Sequence, residues 1–284
     1  MIDIRQSQNY AKYLKTQGWI VERIDNTNYF VKKMPLLGSV LKIQRPKNIN
    51  WKTIKKLQKK YRVFQTIIEP CLSFGVSTVS YHNLFISDGY KLSKSSYLPS
   101  KTSHINLDQS LGKITAGFKK DTRRAIRVGE KTIIKDSSSP EKIKLFRAAW
   151  KKSVRFTRFI PSTTSLINLR KSFPNTHSLF LTSHNDFGEI IGGSVFTRSS
   201  HGTAYYWYGF TNKEGRASLS QYSLLYQGIL WAKKQKCRVF DFEGIYDERF
   251  PNKSWLGFTR FKKSFGGRDV LYPGAYYKNR FSLL

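Results

Sequence analysis

The chain has 284 residues, room for two domains of roughly 150 residues each, and its 39% apolar content with 16 Tyr, 20 Phe and 6 Trp excludes a disordered basic tail. Against 18 Asp and Glu stand 50 Lys and Arg, a formal charge of +32. Either polyanions such as nucleic acid, anionic lipid or phosphorylated small molecules relieve this self-repulsion, or the excess is a lysine bias with no ligand behind it. In chain order, Tyr10, Ala11 and Leu14 mark one side of a helix over 6–14, which Gly18 stops, and strands follow over 19–24, 29–31 and 40–46. Lys42 and Arg45 on the last of these could face substrate phosphates, or serve only as a solvated strand edge. Trp51, Ile54, Leu57 and Tyr61 make one face of a lysine-coated helix, and 63–69 reads as a strand. A turn-rich stretch over 84–100 leads to a short strand at 103–107, where His104 is expected to be half-exposed. The next helix lies within 111–135. Its Arg123, Arg124 and Arg127 fall within one turn, a ridge suited to phosphates or to carboxylates of a second domain, and its Gly129 costs about 1 kcal/mol relative to Ala.

Residues 136–140, D-S-S-S-P, punctuate the chain and open a helix with Ser139 as cap and Pro140 in the first turn. A first domain over 1–136, completed by 270–284, and a second over 137–269 are therefore expected. Ile143, Phe146, Ala149 and Trp150 stripe that helix, and Arg155, Arg158 and a segment carrying Arg170 and Lys171 follow. Strands over 179–183, 189–198 and 203–210 come next, with Tyr206 and Tyr208 expected on one face. The N-x-x-G-x-A step at 212–217 contains Gly215 and precedes a helix over 219–234, where backbone N–H groups could hold a pyrophosphate. Tyr222 and Tyr226 on that helix line a cleft or pack in the core. A strand over 238–242 then opens into Asp241, Glu243, Asp247 and Glu248, beside Phe261, Lys262, Lys263 and the pair Gly266-Gly267.

Four short motifs occur in order here: D-F-E-G-I at 241–245, W-L-G-F at 255–258, R-F-K-K-S-F-G-G at 260–267 and Y-P-G at 272–274. Together they resemble the end of the FemABX family. The opening Q-S-x-x-Y-A-x-Y and P-L-L-G-S-V-L-K-I-Q-R-P are similar to that family's first domain. Phe118, Thr122, Arg123, Ile126, Arg127, Glu130 and Lys131 match its basic helix, with Asp121 in place of a lysine. The resemblance implies an α+β, α/β architecture of two tandem GNAT-like domains with mixed, mostly antiparallel sheets and flanking helices. It implies a tRNA-dependent aminoacyltransferase that extends the peptide of a lipid- or UDP-linked peptidoglycan precursor without CoA or metal. By the same resemblance Lys262 stands against the oxyanion and Phe261 stacks on the terminal adenosine or sugar. Lys263 competes for the first role, because strand-like alternation would turn only one of the two inward. Asp241 either takes the amine's proton or orders Arg249, and Glu243 fills a position that is often Gly in the family. Lys42, Arg45, Arg123, Arg127, Arg170, Tyr208, Gly215, Tyr222, Tyr226, Glu243 and Lys263 are the expected substrate-binding residues.

Elementary chemistry agrees with a site without a nucleophile. An aminoacyl ester is already activated, and no His of the five has a Ser or Cys partner at a recognisable spacing. Cys71 and Cys237 read as thiols of a reducing compartment and make no zinc set. With neither a signal-like start nor a run of roughly 18 apolar residues, a cytoplasmic protein is expected, touching the inner face of an anionic membrane peripherally if at all. Two other readings stay open: a CoA-dependent N-acyltransferase, and a basic RNA-binding protein without catalysis.

Overall fold

The computed structural model describes residues 2–71, 78–154 and 159–280. Arg155, Arg158 and the last four residues lie outside the described residues. Among these are thirteen strands, β1 to β13 in chain order, in a six-stranded and a seven-stranded sheet. The chain divides into two compact units.

The first unit comprises Met1–Thr102, Gly244–Leu256 and Val270–Leu284. Its sheet runs β1 (Ile20–Ile24), β2 (Thr27–Met34), β3 (Gly38–Gln44), β4 (Val63–Glu69), β13 (Tyr276–Asn279), β5 (Lys91–Leu92). Only β3 and β4 pair parallel, which demands a crossover, and helix Trp51–Lys60 supplies it. The helix buries Ile54 and Leu57 on Leu41, Ile43 and Val63 and leaves its lysines outside. Where a featureless connection is expected after residue 84, helix Thr78–Ser87 instead carries Phe85 into this core, stacked 4.4 Å from Tyr276. A run of loop-forming residues downstream hides that helix from a sequence reading.

The second unit comprises Ser103–Glu243 and Gly257–Asp269. Its sheet runs β12 (Arg268–Leu271), β6 (Lys101–Asn106), β11 (Val239–Gly244), β10 (Thr203–Thr211), β9 (Ile190–Arg198), β8 (Ser178–His184), β7 (Ile133–Asp136). Helix Ser220–Lys234 makes the crossover between the parallel β10 and β11, burying Leu224, Leu225 and Ile229. On it packs helix Lys120–Gly129, so closely that a Cβ on Gly129 would stand 2.7 Å from the Leu219 carbonyl oxygen. The glycine that looks like a helix defect is thus a contact point between two helices.

The second unit starts at Ser103, not near residue 137. The D-S-S-S-P stretch is a turn inside it: the Ser137 N–H donates to the Phe180 carbonyl at 2.8 Å and Ser139 caps helix Pro140–Ser153. Loop-forming composition marks a turn wherever it falls, and here the turn joins β7 to a helix of the same unit.

Candidate active site

In the second unit β10 and β11 pair only over Thr203–Tyr205 with Val239–Asp241, and each strand runs on beyond. Beside the diverging ends, helix Leu256–Lys263 sets the two lysines apart by its own rotation, not by strand alternation. Lys263 is exposed and pairs with Asp269 at 2.9 Å. Lys262 is only 9% exposed, its ammonium 5.0 Å from the Phe258 ring centre and 5.6 Å from that of Tyr206. Burial pulls its pKa down to about 8, and the carboxylates of Glu243 and Asp241 oppose that pull.

A cavity of about 850 Å³ opens next to these rings, lined among others by Tyr206, Gly215, Gln221, Tyr222, Phe258 and Phe261. Phe261 meets Tyr222 edge-on at 4.9 Å and Phe265 at 5.5 Å, so its ring is fixed in the wall. After the helix, Gly266 and Gly267 take φ of 75° and 89°, and a Cβ on Gly266 would lie 2.6 Å from the Gly117 carbonyl oxygen. That turn needs glycine and anchors the end of the lysine helix.

Asp241 does not order Arg249, which instead pairs with Asp247 at 2.8 Å in the first unit. Asp241 is 5% exposed and its Oδ2 lies 3.0 Å from His104 Nε2, while its Oδ1 accepts from the Glu243 N–H at 2.7 Å. His104 is therefore buried beside the site and not half-exposed on an outer strand. Nothing in a five-residue strand pattern could have signalled a partner 137 positions away. Glu243 adopts φ 59°, a left-handed conformation that glycine takes without cost. Its carboxylate nevertheless lies close enough to Lys262 to favour the charged ammonium.

Of the remaining expected site residues, Gly215 and Tyr222 line the cavity. Gly215 is no phosphate cradle: its N–H is taken by Asn212 Oδ1 at 2.8 Å, and a Cβ there would meet the Ile191 carbonyl at 2.2 Å. Tyr226 packs edge-on to Phe118 at 6.3 Å, a core contact. A bulge shifts the β9–β10 register from Tyr206↔Phe196 to Tyr208↔Val195, so Tyr206 and Tyr208 face opposite sides of the sheet. Tyr208 packs 5.4 Å from Trp150, away from Lys262. Arg170 is spent on the carbonyls of Phe173 and Asn175 and on Ser178 Oγ, bracing a turn. Arg45, with φ 54°, is 3% exposed, stacks 3.5 Å over Tyr272 and donates to the carbonyls of Pro70 and Pro99, so it is a clasp of the first unit and presents nothing to a phosphate. Lys42 is half-buried, 5.4 Å from the Trp19 ring and 4.9 Å from Tyr97, its pKa lowered by burial against the pull of Glu69. Arg123, Arg124 and Arg127 are exposed, Arg123 donating to the Phe118 and Ala116 carbonyls. Tyr206, Gln221, Phe258 and His104 are the residues that sequence reasoning missed as site members.

Among the described residues no three His, Cys, Asp or Glu side chains gather as a metal ion would need, and no helix is long and apolar enough to cross a membrane. No family model matches the sequence, and no curated protein does. Solved structures match throughout. FemX superposes with a TM-score of 0.81 at 16% identity, covering 98% of this chain and 92% of that one. L-PGS from Bacillus licheniformis gives 0.59 at 15% identity, over 99% and 94%. A GCN5-related N-acetyltransferase from Sphaerobacter thermophilus gives 0.51 at 12% identity, over 89% and 76%. The chain has a tandem GNAT-like fold, two compact units each built on a mixed sheet.

Proposed function

We propose that this chain is a FemABX-type aminoacyltransferase, moving an amino acid from charged tRNA to an amine on the peptide of a peptidoglycan precursor. The observation that carries the reading is Lys262, an ammonium buried where β10 and β11 part, beside an aromatic-walled cavity of about 850 Å³. The likeness to FemX over nearly the whole chain supports it.

The acceptor amine attacks the ester carbonyl carbon and forms a tetrahedral adduct. The new C–N bond stays, the C–O bond to the ribose breaks, and the proton lost by the amine ends on the departing ribose hydroxyl. Lys262, as its ammonium, donates to the oxyanion of the adduct, and its aromatic surroundings keep the charge from being screened. Asp241, held by His104, and Glu243 keep the lysine protonated enough to act near neutral pH. Phe261 offers a fixed ring for the terminal adenosine or sugar. Lys42, Arg123 and Arg127 remain as candidate phosphate contacts, with Arg124 beside them. A CoA-dependent reaction is disfavoured by Asn212, whose side chain occupies the Gly215 N–H that a pyrophosphate would need.

The test supplies total charged tRNA and a labelled precursor, lipid-linked or UDP-linked, with acetyl-CoA as the competing donor. Transfer from tRNA, lost in Lys262→Met, supports the reading. Transfer from acetyl-CoA alone, or full turnover by Lys262→Met, overturns it.

A further inference from the structure

The hairpin between β2 and β3 ends in Met34-Pro35-Leu36-Leu37-Gly38, and its side chains point outward. Leu36 is 106% exposed, Leu37 66% and Met34 40%, three large apolar side chains within four residues. The turn is firmly built: Met34 pairs with Gly38 across the ladder and the Leu37 N–H donates to the Pro35 carbonyl at 2.8 Å. Leu36 sits at φ 64°, where Asn or Gly would fit without strain. A leucine held there is strained and fully wetted, and its side chain gains nothing within this unit. At the base of the finger Lys33 and Arg62 are both exposed, and the Arg62 carbonyl lies so near Gly38 that a Cβ there would stand 2.4 Å from it. Lys32 is set apart from this pair, its ammonium donating to the Gly18 carbonyl at 2.9 Å.

The geometry points to a membrane-docking finger: Leu36 and Leu37 enter the acyl boundary of an anionic phospholipid bilayer while Lys33 and Arg62 meet the headgroup phosphates. A convex tip suits a fluid phase, whereas a protein partner would have to offer a matching groove. The surface that complements a chain of charge +32 is one of uniform negative charge. Apolar insertion and headgroup attraction reinforce each other in such contacts. The inference goes beyond the transfer reaction and does not depend on it.

Co-sedimentation of the full chain with vesicles of equal phosphatidylglycerol and phosphatidylcholine tests it, against vesicles of phosphatidylcholine alone, at 0.15 M and 0.5 M NaCl. The double variant Leu36→Asn, Leu37→Ser keeps the turn, since Asn accepts a positive φ, so its melting temperature should not fall. It is expected to partition at least about tenfold less onto the anionic vesicles. The gap should persist at high salt, where the electrostatic part is screened. Lys33→Glu with Arg62→Glu should weaken binding mainly at low salt. Equal partition of wild type and the leucine variant overturns the proposal, as does failure of the wild type to bind. Sedimentation velocity showing that the tip joins two copies of the chain, with vesicle binding unaltered in the variant, also overturns it. No acyl-transfer assay enters, so the finger and the catalytic reading can fail separately.

Discussion

Lys262 is placed at a cost. Its folded-state pKa of about 8 lies below the ordinary lysine value of 10.5, so between these values the unfolded chain holds more protons and stability rises with pH. Below pH 8 the whole penalty is present, on the order of 3 kcal/mol at about 1.4 kcal/mol per pH unit. Lys262→Met should therefore leave the melting temperature at neutral pH unchanged or higher while lowering turnover by about 10² to 10³, and should flatten the alkaline rise in stability. A melting temperature lowered by several degrees would show that the ammonium is structural. If the protonated form is the active one, the rate constant of the bound complex falls as pH rises through about 8. Glu243→Gln removes a carboxylate that favours the charged lysine, so the break in that profile should move to lower pH; a break that stays in place removes Glu243 from the tuning.

At the scale of elements, the close crossing of helix Lys120–Gly129 on helix Ser220–Lys234 depends on one hydrogen in place of a methyl group. Gly129→Ala gains helix propensity, yet the new Cβ meets the Leu219 carbonyl at 2.7 Å and Ser223 Oγ at 3.0 Å. A net loss of about 1–3 kcal/mol is expected, read as a lowered denaturation midpoint; a gain would mean that the crossing relaxes freely. The same element shows what a sequence can carry. Its apolar pair Ala125 and Ile126 announces a buried side, but why position 129 is glycine depends on a backbone ninety residues away. Motif order draws attention to the Phe261–Lys262 pair only through a family resemblance, whereas the burial of Lys262 and the exposure of Lys263 follow from the rotation of a helix. The bulge that parts Tyr206 from Tyr208 leaves no mark in an all-aromatic Y-Y-W-Y run, and the His104–Asp241 contact joins strands whose adjacency is a matter of topology. Local periodicity is written in neighbouring residues; register shifts and long-range pairs are not.

For the whole molecule, a charge of +32 over 284 residues predicts tight, salt-sensitive association with polyanions irrespective of the chemistry. What distinguishes a dedicated contact is its effect on the salt slope. Arg124 and Arg127 are exposed on one helix, and Arg124→Gln with Arg127→Gln should weaken tRNA binding and reduce the slope of log K against log salt by about 1–2. An unchanged slope would leave the ridge a solvated face.

The first unit's sheet has a gap until β13 is made, because β13 lies between β4 and β5. At usual ribosomal speeds the filling strand emerges about ten to forty seconds after its neighbours, leaving the edge of β4 open to stray pairing meanwhile. The second unit, by contrast, has six of its seven strands in hand once residue 244 has been added. A chain shortened by residues 270–284 should yield a protease-resistant fragment from 103–269 and rapid digestion of the N-terminal hundred residues, so that the part translated first matures last.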